Sequence, residues 1–284
     1  MKTLGQRATS LPLGIDIGSQ LVSVVACDCA GDRFDVRETA TLEVPPADGN
    51  VDLAIAQTIR LVVSRMVTRE RRCILAAPAG EVVTRSFRVP PGMRRGEAER
   101  AAALEADTFV DWPSSERLVA LDDIPGKSDE KLLSIARNGT VERLVAIARA
   151  AGIKPVAVDL AACAWRRALP HADAVLDLAG DRAELIVFAE PAGVTHLFPP
   201  RLVDDRLASG IRAAFAEARR DGVADVRTLA ISSNRFRYES IEELLRDDGY
   251  AITPVTLGGL EAPPWALAYG LASWSVALRG LRAS

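Results

Sequence analysis

The sequence predicts an α/β fold of two like halves, with a small α+β unit inserted in the first half. Three observations carry this. An apolar–Asp–apolar pattern leading into a glycine turn and a second apolar strand occurs twice: Ile15-Asp16-Ile17-Gly18 before residues 21–25, and Leu176-Asp177-Leu178-Ala179-Gly180 before residues 185–187. Each copy is followed by a helix, the mark of a duplicated unit. Between the copies, residues 82–136 change character, with polar residues interleaved in their strands around an alanine-rich helix.

The first half opens with residues 13–17 and 21–27, two apolar strands about a short turn, and residues 33–44, a third strand ended by Pro45-Pro46. That is an antiparallel meander. Residues 52–68 are helical, with Ile55, Ile59, Val62, Val63 and Met66 at helical spacing. Residues 73–77 form a short buried strand. The insert follows: strand 82–89, helix 97–109 stopped by Trp112-Pro113, and strands 118–124 and 131–136 around Pro125-Gly126-Lys127. Thr140 is read as the cap of a helix reaching Ala151, with Gly152 at its C-cap and Pro155 beyond, before strand 156–160.

Helix 161–169 leads to the second copy, with strands 174–178 and 184–189. Residues 205–219 are an amphipathic helix with Leu207, Ile211, Ala214, Phe215 and Ala218 on one face. Between Phe188 and Thr228 only this one helix fits. Strand 228–231 follows. Ser240 and Glu243 read as a capping box opening helix 241–248, stopped by Gly249. Strand 250–255 precedes a final helix, 265–278, whose Ala266, Ala268, Gly270 and Ala272 permit close packing on a sheet.

Composition narrows the function. The chain has 284 residues, 49% hydrophobic and 26% charged, with a net charge of −3, so no basic field draws it to nucleic acid or an anionic membrane. Arg69-Glu70-Arg71-Arg72 and Arg94-Arg95 read as a solvated helix end and a solvated loop. Cys27, Cys29, Cys73 and Cys163 make no C-x-x-C pair and read as small buried residues of a reducing compartment, and a zinc site is not expected. Residues 1–10 lack the apolar stretch of a signal peptide, and no window is long enough to span a bilayer, so a cytoplasmic protein is expected. His171 and His196 lie in loop-like, proline-flanked segments, so no nucleophilic triad and no catalytic residue is expected.

The repeated turns carry the candidate chemistry. Glycine lets backbone approach an anion, and N–H groups of such a turn can face phosphate oxygens. An aspartate at a strand end can hold Mg²⁺ through water. Two such hairpins facing each other would grip nucleotide phosphates from both sides. The other reading is a pair of tight hairpins with turn-favouring residues.

Leu13-Gly14-Ile15-Asp16-Ile17-Gly18-Ser19-Gln20-Leu21-Val22-Ser23-Val24-Val25 resembles the first phosphate motif of actin-like ATPases, in the form used by the type IV pilus assembly protein PilM family. Arg85-Ser86-Phe87-Arg88-Val89-Pro90 is similar to the strand entering that family's inserted subdomain, and residues 97–109 with Trp112-Pro113 to the helix after it. Residues 151–159 resemble the segment returning to the main fold, and residues 174–188 stand where the second phosphate motif belongs. The resemblance covers roughly residues 11–190 and extends more loosely to the end.

It implies an actin-like (ribonuclease H-like) two-lobe fold, divided as a first lobe 11–80, an insert with return helix 81–155 and a reduced second lobe 156–284. It implies ATP and Mg²⁺ as cofactors, with Asp16, Gly18, Ser19, Gln20, Asp177 and Gly180 as binding residues and Asp16 and Asp177 on the metal. It implies a scaffold at the cytoplasmic face of the inner membrane that binds the tail of a PilN-like membrane protein, in the groove between insert and first lobe or at a sheet edge, with self-association open to it. The relatives FtsA and GspL share this logic.

Three departures argue against ATP hydrolysis and leave nucleotide binding weak or vestigial. The second turn reads Leu178-Ala179-Gly180-Asp181-Arg182-Ala183, where Asp181 opposes phosphate and Arg182 could offset it. Ser232-Ser233-Asn234 stands where the family has a Gly-Gly pair against adenosine, and Gly258-Gly259 falls in a later loop. The second lobe is short. An active actin-like ATPase is the alternative. A sugar-kinase-like enzyme is disfavoured, since Asp159 is the one positional candidate for a base.

Overall fold

The structure is a computed structural model that describes residues 9–274 except 19, 31–32, 47–48, 125–126, 179–182, 190–192, 200–203, 223–224, 234, 258–259 and 262–263. The first lobe begins with β1 (Thr9–Ser10), β2 (Leu13–Ile17), β3 (Leu21–Ala30) and β4 (Arg33–Glu43), followed by α1 (Val51–Arg65) and β5 (Arg72–Ala77). The insert holds β6 (Val82–Arg88), α2 (Arg95–Glu105), β7 (Arg117–Ile124) and β8 (Lys127–Arg137). Then come α3 (Asn138–Ala150), β9 (Lys154–Leu160) and α4 (Ala161–Ala168). The second lobe has β10 (Ala174–Asp177), β11 (Ala183–Val187), β12 (Val194–Phe198), α5 (Asp204–Arg220), β13 (Thr228–Ser232), α6 (Arg235–Leu245), β14 (Ala251–Pro254), β15 (Thr256–Leu257), β16 (Leu260–Glu261) and α7 (Ala266–Ala272).

The two halves are built alike. The first sheet runs β4-β3-β2-β5-β9, with β1 extending the line of β2 beside β3. The second runs β12-β11-β10-β13-β14. In both, a three-strand antiparallel meander feeds two parallel strands. The helices occupy equivalent places: α1 and α5 follow the meander, α3 and α6 precede the last strand, and α4 and α7 follow it.

Local signals explain the ends of α1. Asn50 accepts the Leu53 amide at 3.1 Å, and Asp52 and Arg65 stand at the ends that suit the helix dipole. Beyond it, the Glu38 carboxylate takes the amide of Val67 at 2.9 Å. Alternation along the strands then sorts the core. Leu13, Ile15, Val22 and Val24 pack under α1 and α3, and Leu176, Leu185, Leu229 and Ile231 pack under α5 and α6.

The opposite faces of both sheets meet α4 and α7. Ile74 of the first sheet and Val175, Ile186 and Ala230 of the second share one cluster with Ala164, Trp165 and Leu271. Small residues make this fit. A Cβ on Gly14 would lie 1.8 Å from the Ala268 oxygen, and one on Gly270 would lie 2.0 Å from the Ala164 oxygen.

Four details differ from the sequence reading. His196, read as loop-like, lies in β12, which pairs with β11 and sets His196 opposite Leu185; α5 is the one helix between Phe188 and Thr228 among the described residues, as expected. α3 starts at Asn138 after Arg137, so Thr140 lies inside it rather than capping it. α6 starts at Arg235, and the Ser240 hydroxyl donates to Asp204 of α5 at 2.8 Å instead of opening the helix. The boundary at 155/156 falls inside β9, which pairs with β5 in the first sheet.

Candidate functional site

Asp16 and Asp177 occupy matching places in the two hairpins. Asp16 stands opposite Ser23 in the β2–β3 ladder, and Asp177 stands opposite Glu184 in the β10–β11 ladder. Alternation puts Asp16 on the face of Gly14, which meets α7, and Asp177 and Glu184 on the faces of Val175 and Ile186, which meet α4 and α7. The carboxyls of the two lobes therefore point into the space between the sheets.

Their electrostatics show that they act on one another. Burial, and then the charge of Asp177, push the Asp16 carboxyl up to about 7. Burial, and then Asp177 and Asp16, push Glu184 up to about 8. Among the described residues only carboxylates act on these two groups. One oxygen of Glu184, Oε1, is buried without a hydrogen-bond partner. The sequence reading did not single out Glu184. Hairpin register would have found it, because the residue facing the aspartate across a tight turn shares its side of the sheet.

The turn residues divide. Gly18 donates its amide to the Leu21 oxygen at 2.9 Å, so that amide closes the hairpin. Gln20 is exposed at the turn. Ser19, Gly180, Asp181, Arg182, Asn234, Gly258 and Gly259 lie outside the described residues. Ser232 and Ser233, expected to crowd an adenosine, are both buried, and the Ser232 oxygen accepts the Leu178 amide at 2.7 Å. Asp159 pairs with Arg167, whose Nε donates to the Gly270 oxygen at 3.0 Å, so this acid ties α4 to β9 and α7.

A second concavity lies where the insert meets the first lobe. A cavity of about 720 Å³ is lined by Glu81, Ser115, Glu116, Arg137, Asn138 and Glu142, at the start of α3. Arg137 bridges its walls, stacking over Trp112 at 4.4 Å and pairing with Glu81 at 3.3 Å.

The profile of the family described as Type IV pilus assembly protein PilM matches residues 14–197. The chain belongs to that family. The match runs through the first lobe and the whole insert and ends at the close of the second hairpin's meander. No curated protein matches the chain. Among solved structures it is similar to the PilM–PilN type IV pilus biogenesis complex, at 19% identity and a TM-score of 0.70, covering 95% of this chain and 98% of that one. It is also similar to the cytoplasmic domain of EpsL, an inner membrane component of the Vibrio cholerae type II secretion system, at 11% identity and a TM-score of 0.56, covering 95% of each chain. A third likeness, to glycerol dehydratase reactivase, has 9% identity and a TM-score of 0.53, with 94% of this chain and 100% of that one covered. The fold of this PilM-family chain is actin-like.

Relatives with this fold generally bind ATP and Mg²⁺. Asp16 and Asp177 act on one another, and Glu184 adds a third acid whose Oε1 is buried without a hydrogen-bond partner. Among the described residues, no three His, Cys, Asp or Glu side chains meet in metal-holding geometry.

Proposed function

We propose that this PilM-family chain is a scaffold of a type IV pilus, or related secretion, platform and holds the cytoplasmic tail of a PilN-like inner-membrane protein. The family match carries the reading, because it spans both walls of the cavity between insert and first lobe. The PilM–PilN likeness supports a PilN-like partner. An extended tail would dock in that cavity or add to a free sheet edge. Among the described residues no helix is long and apolar enough to cross a membrane, so the partner supplies the anchor in this reading. The protein then works in the cytoplasm, peripheral to the inner membrane.

In the same reading Asp16, Gly18, Ser19, Gln20, Asp177 and Gly180 are a vestigial nucleotide set, and the chain is not an ATPase. A pull-down of the native-host membrane fraction with the full chain tests the role. Recovery of a membrane-anchored protein with a short cytoplasmic tail supports it. Recovery of no membrane protein contradicts it. The alternative, an active actin-like ATPase, rests on the facing Asp16 and Asp177. It requires binding of Mg-ATP that Asp16→Ala abolishes.

A further inference from the structure

We infer that the loop between α1 and β5 is a docking surface for an anionic lipid bilayer, with Val67 as its apolar tip and Arg37, Arg65, Arg69 and Arg71 as its cationic rim; the inference goes beyond the scaffold reading, which gives the membrane anchor to the partner alone. The net charge of −3 hides this patch. Residues 65–72 carry arginine at 65, 69, 71 and 72 against a single acid, Glu70. Lys154 of β9, also exposed, stands in register with Arg72 and carries the patch across the end of the sheet. β5 runs parallel to β2, so this end of the first sheet is the one remote from Asp16 and the cleft.

The acids of the patch are turned inward. The Glu38 carboxylate accepts the amides of Val67 at 2.9 Å and Thr68 at 3.3 Å. The Glu70 carboxylate accepts the amides of Arg71 at 2.9 Å and Arg72 at 2.8 Å, and pairs with the Arg72 guanidinium at 2.6 Å. Both carboxylates therefore hold the loop's backbone. Arg65 and Arg69 are exposed and form no ion pair among the described residues. Arg71 is exposed as well, and its guanidinium donates to the Thr68 and Glu70 carbonyls rather than to an acid. The loop so fixed presents Val67 at 87% exposure, the highest of any large hydrophobic side chain among the described residues. Beside it a recess of about 780 Å³ opens between Arg37 and Arg69, with room for a lipid headgroup.

Two features together select the occupant. Guanidinium groups alone suit any polyanion, but a valine held out in water gains only where an apolar boundary receives it. The surface of an anionic bilayer offers both phosphates and that boundary, and arginine stems lie along it with their heads at the phosphates. Away from the patch the chain is acidic on balance, so the rest of its surface is repelled and the attraction is directional.

The test is cosedimentation of the full-length chain with vesicles of phosphatidylcholine and phosphatidylglycerol in equal parts, and with vesicles of phosphatidylcholine alone. Wild type is compared with Arg65→Gln/Arg69→Gln, with Val67→Ser and with Arg206→Gln/Arg246→Gln, which removes the same charge from exposed sites on the second lobe. Circular dichroism is the folding control. Wild type is expected to bind the anionic vesicles alone, and less at high salt. Arg65→Gln/Arg69→Gln lowers the partition at least about tenfold, since each basic group at such a surface contributes about fivefold. Val67→Ser lowers it at least about threefold. The second-lobe pair stays within about twofold of wild type. A folded wild type that ignores anionic vesicles overturns the inference, including one that captures an acidic protein instead. Undiminished binding by either first-lobe variant, or an equal loss in the second-lobe pair, overturns it as well. No partner tail enters the assay, so each of these failures leaves the scaffold reading standing.

Discussion

Replacing Gly270 by alanine tests the contact that joins the two lobes. The added Cβ would stand 2.0 Å from the Ala164 oxygen, 2.6 Å from its carbonyl carbon and 3.1 Å from its Cα. These are backbone atoms of α4, so no side chain can swing aside. α7 must withdraw by about 1 Å or more to reach ordinary contact, which also strains the Arg167 Nε bond to the Gly270 oxygen. Overpacking of this kind costs about 3 kcal/mol at the upper end of its usual range. Helix propensity returns about 1 kcal/mol, because alanine suits a helix better than glycine. The net loss is about 2 kcal/mol, which lowers the thermal midpoint by roughly 4–8 °C. Gly139→Ala is the internal control: it lies in α3 with no atom within 4 Å of a built Cβ, so it is neutral or stabilising by up to about 1 kcal/mol. Melting curves by circular dichroism decide. A Gly270→Ala midpoint at or above wild type would refute the close α4–α7 packing.

Three further outcomes follow from the structure. Arg167→Ala leaves Asp159 buried without its cation and destabilises by about 3–5 kcal/mol in urea unfolding, whereas Arg167→Met with Asp159→Leu recovers most of that loss. Asp16 and Glu184 titrate higher in the folded chain than in the unfolded one, so the folded state binds more protons and stability falls as pH rises from about 4, the fall ending as pH passes about 7 to 8; Asp16→Asn and Glu184→Gln each flatten that fall in midpoint against pH. Asp52→Ala removes the exposed bidentate pair with Arg143 between α1 and α3 and costs no more than about 1 kcal/mol, an effect that shrinks in high salt.

Much of this architecture was legible because local pattern and tertiary role agree. The repeated apolar–Asp–apolar turns at Asp16 and Asp177 marked two hairpins, and each hairpin seeds a sheet of the same order. The small residues at Ala268 and Gly270 announced the close packing that α7 makes. What escaped was decided by partners distant in sequence. β12 is a five-residue edge strand held by β11, with Val194 and Leu197 exposed at 39% and 42%, so its own residues carry a weak alternation. Thr140 and Ser240 look like caps, yet α3 and α6 begin earlier, and Ser240 instead serves Asp204 of another helix. Glu184 reads in the sequence only as the first residue of strand 184–189. Only the pairing with Asp177 and the approach of the first lobe turn it into the third acid of the cleft.

The central claim is that the chain holds a membrane partner's tail without needing a nucleotide. Calorimetric titration of the full chain with a synthetic cytoplasmic-tail peptide of its PilN-like partner, with and without about 1 mM Mg-ATP, tests it most directly. The account predicts saturable binding with the same affinity in both conditions. Absence of binding, or binding that appears only with Mg-ATP, would contradict it.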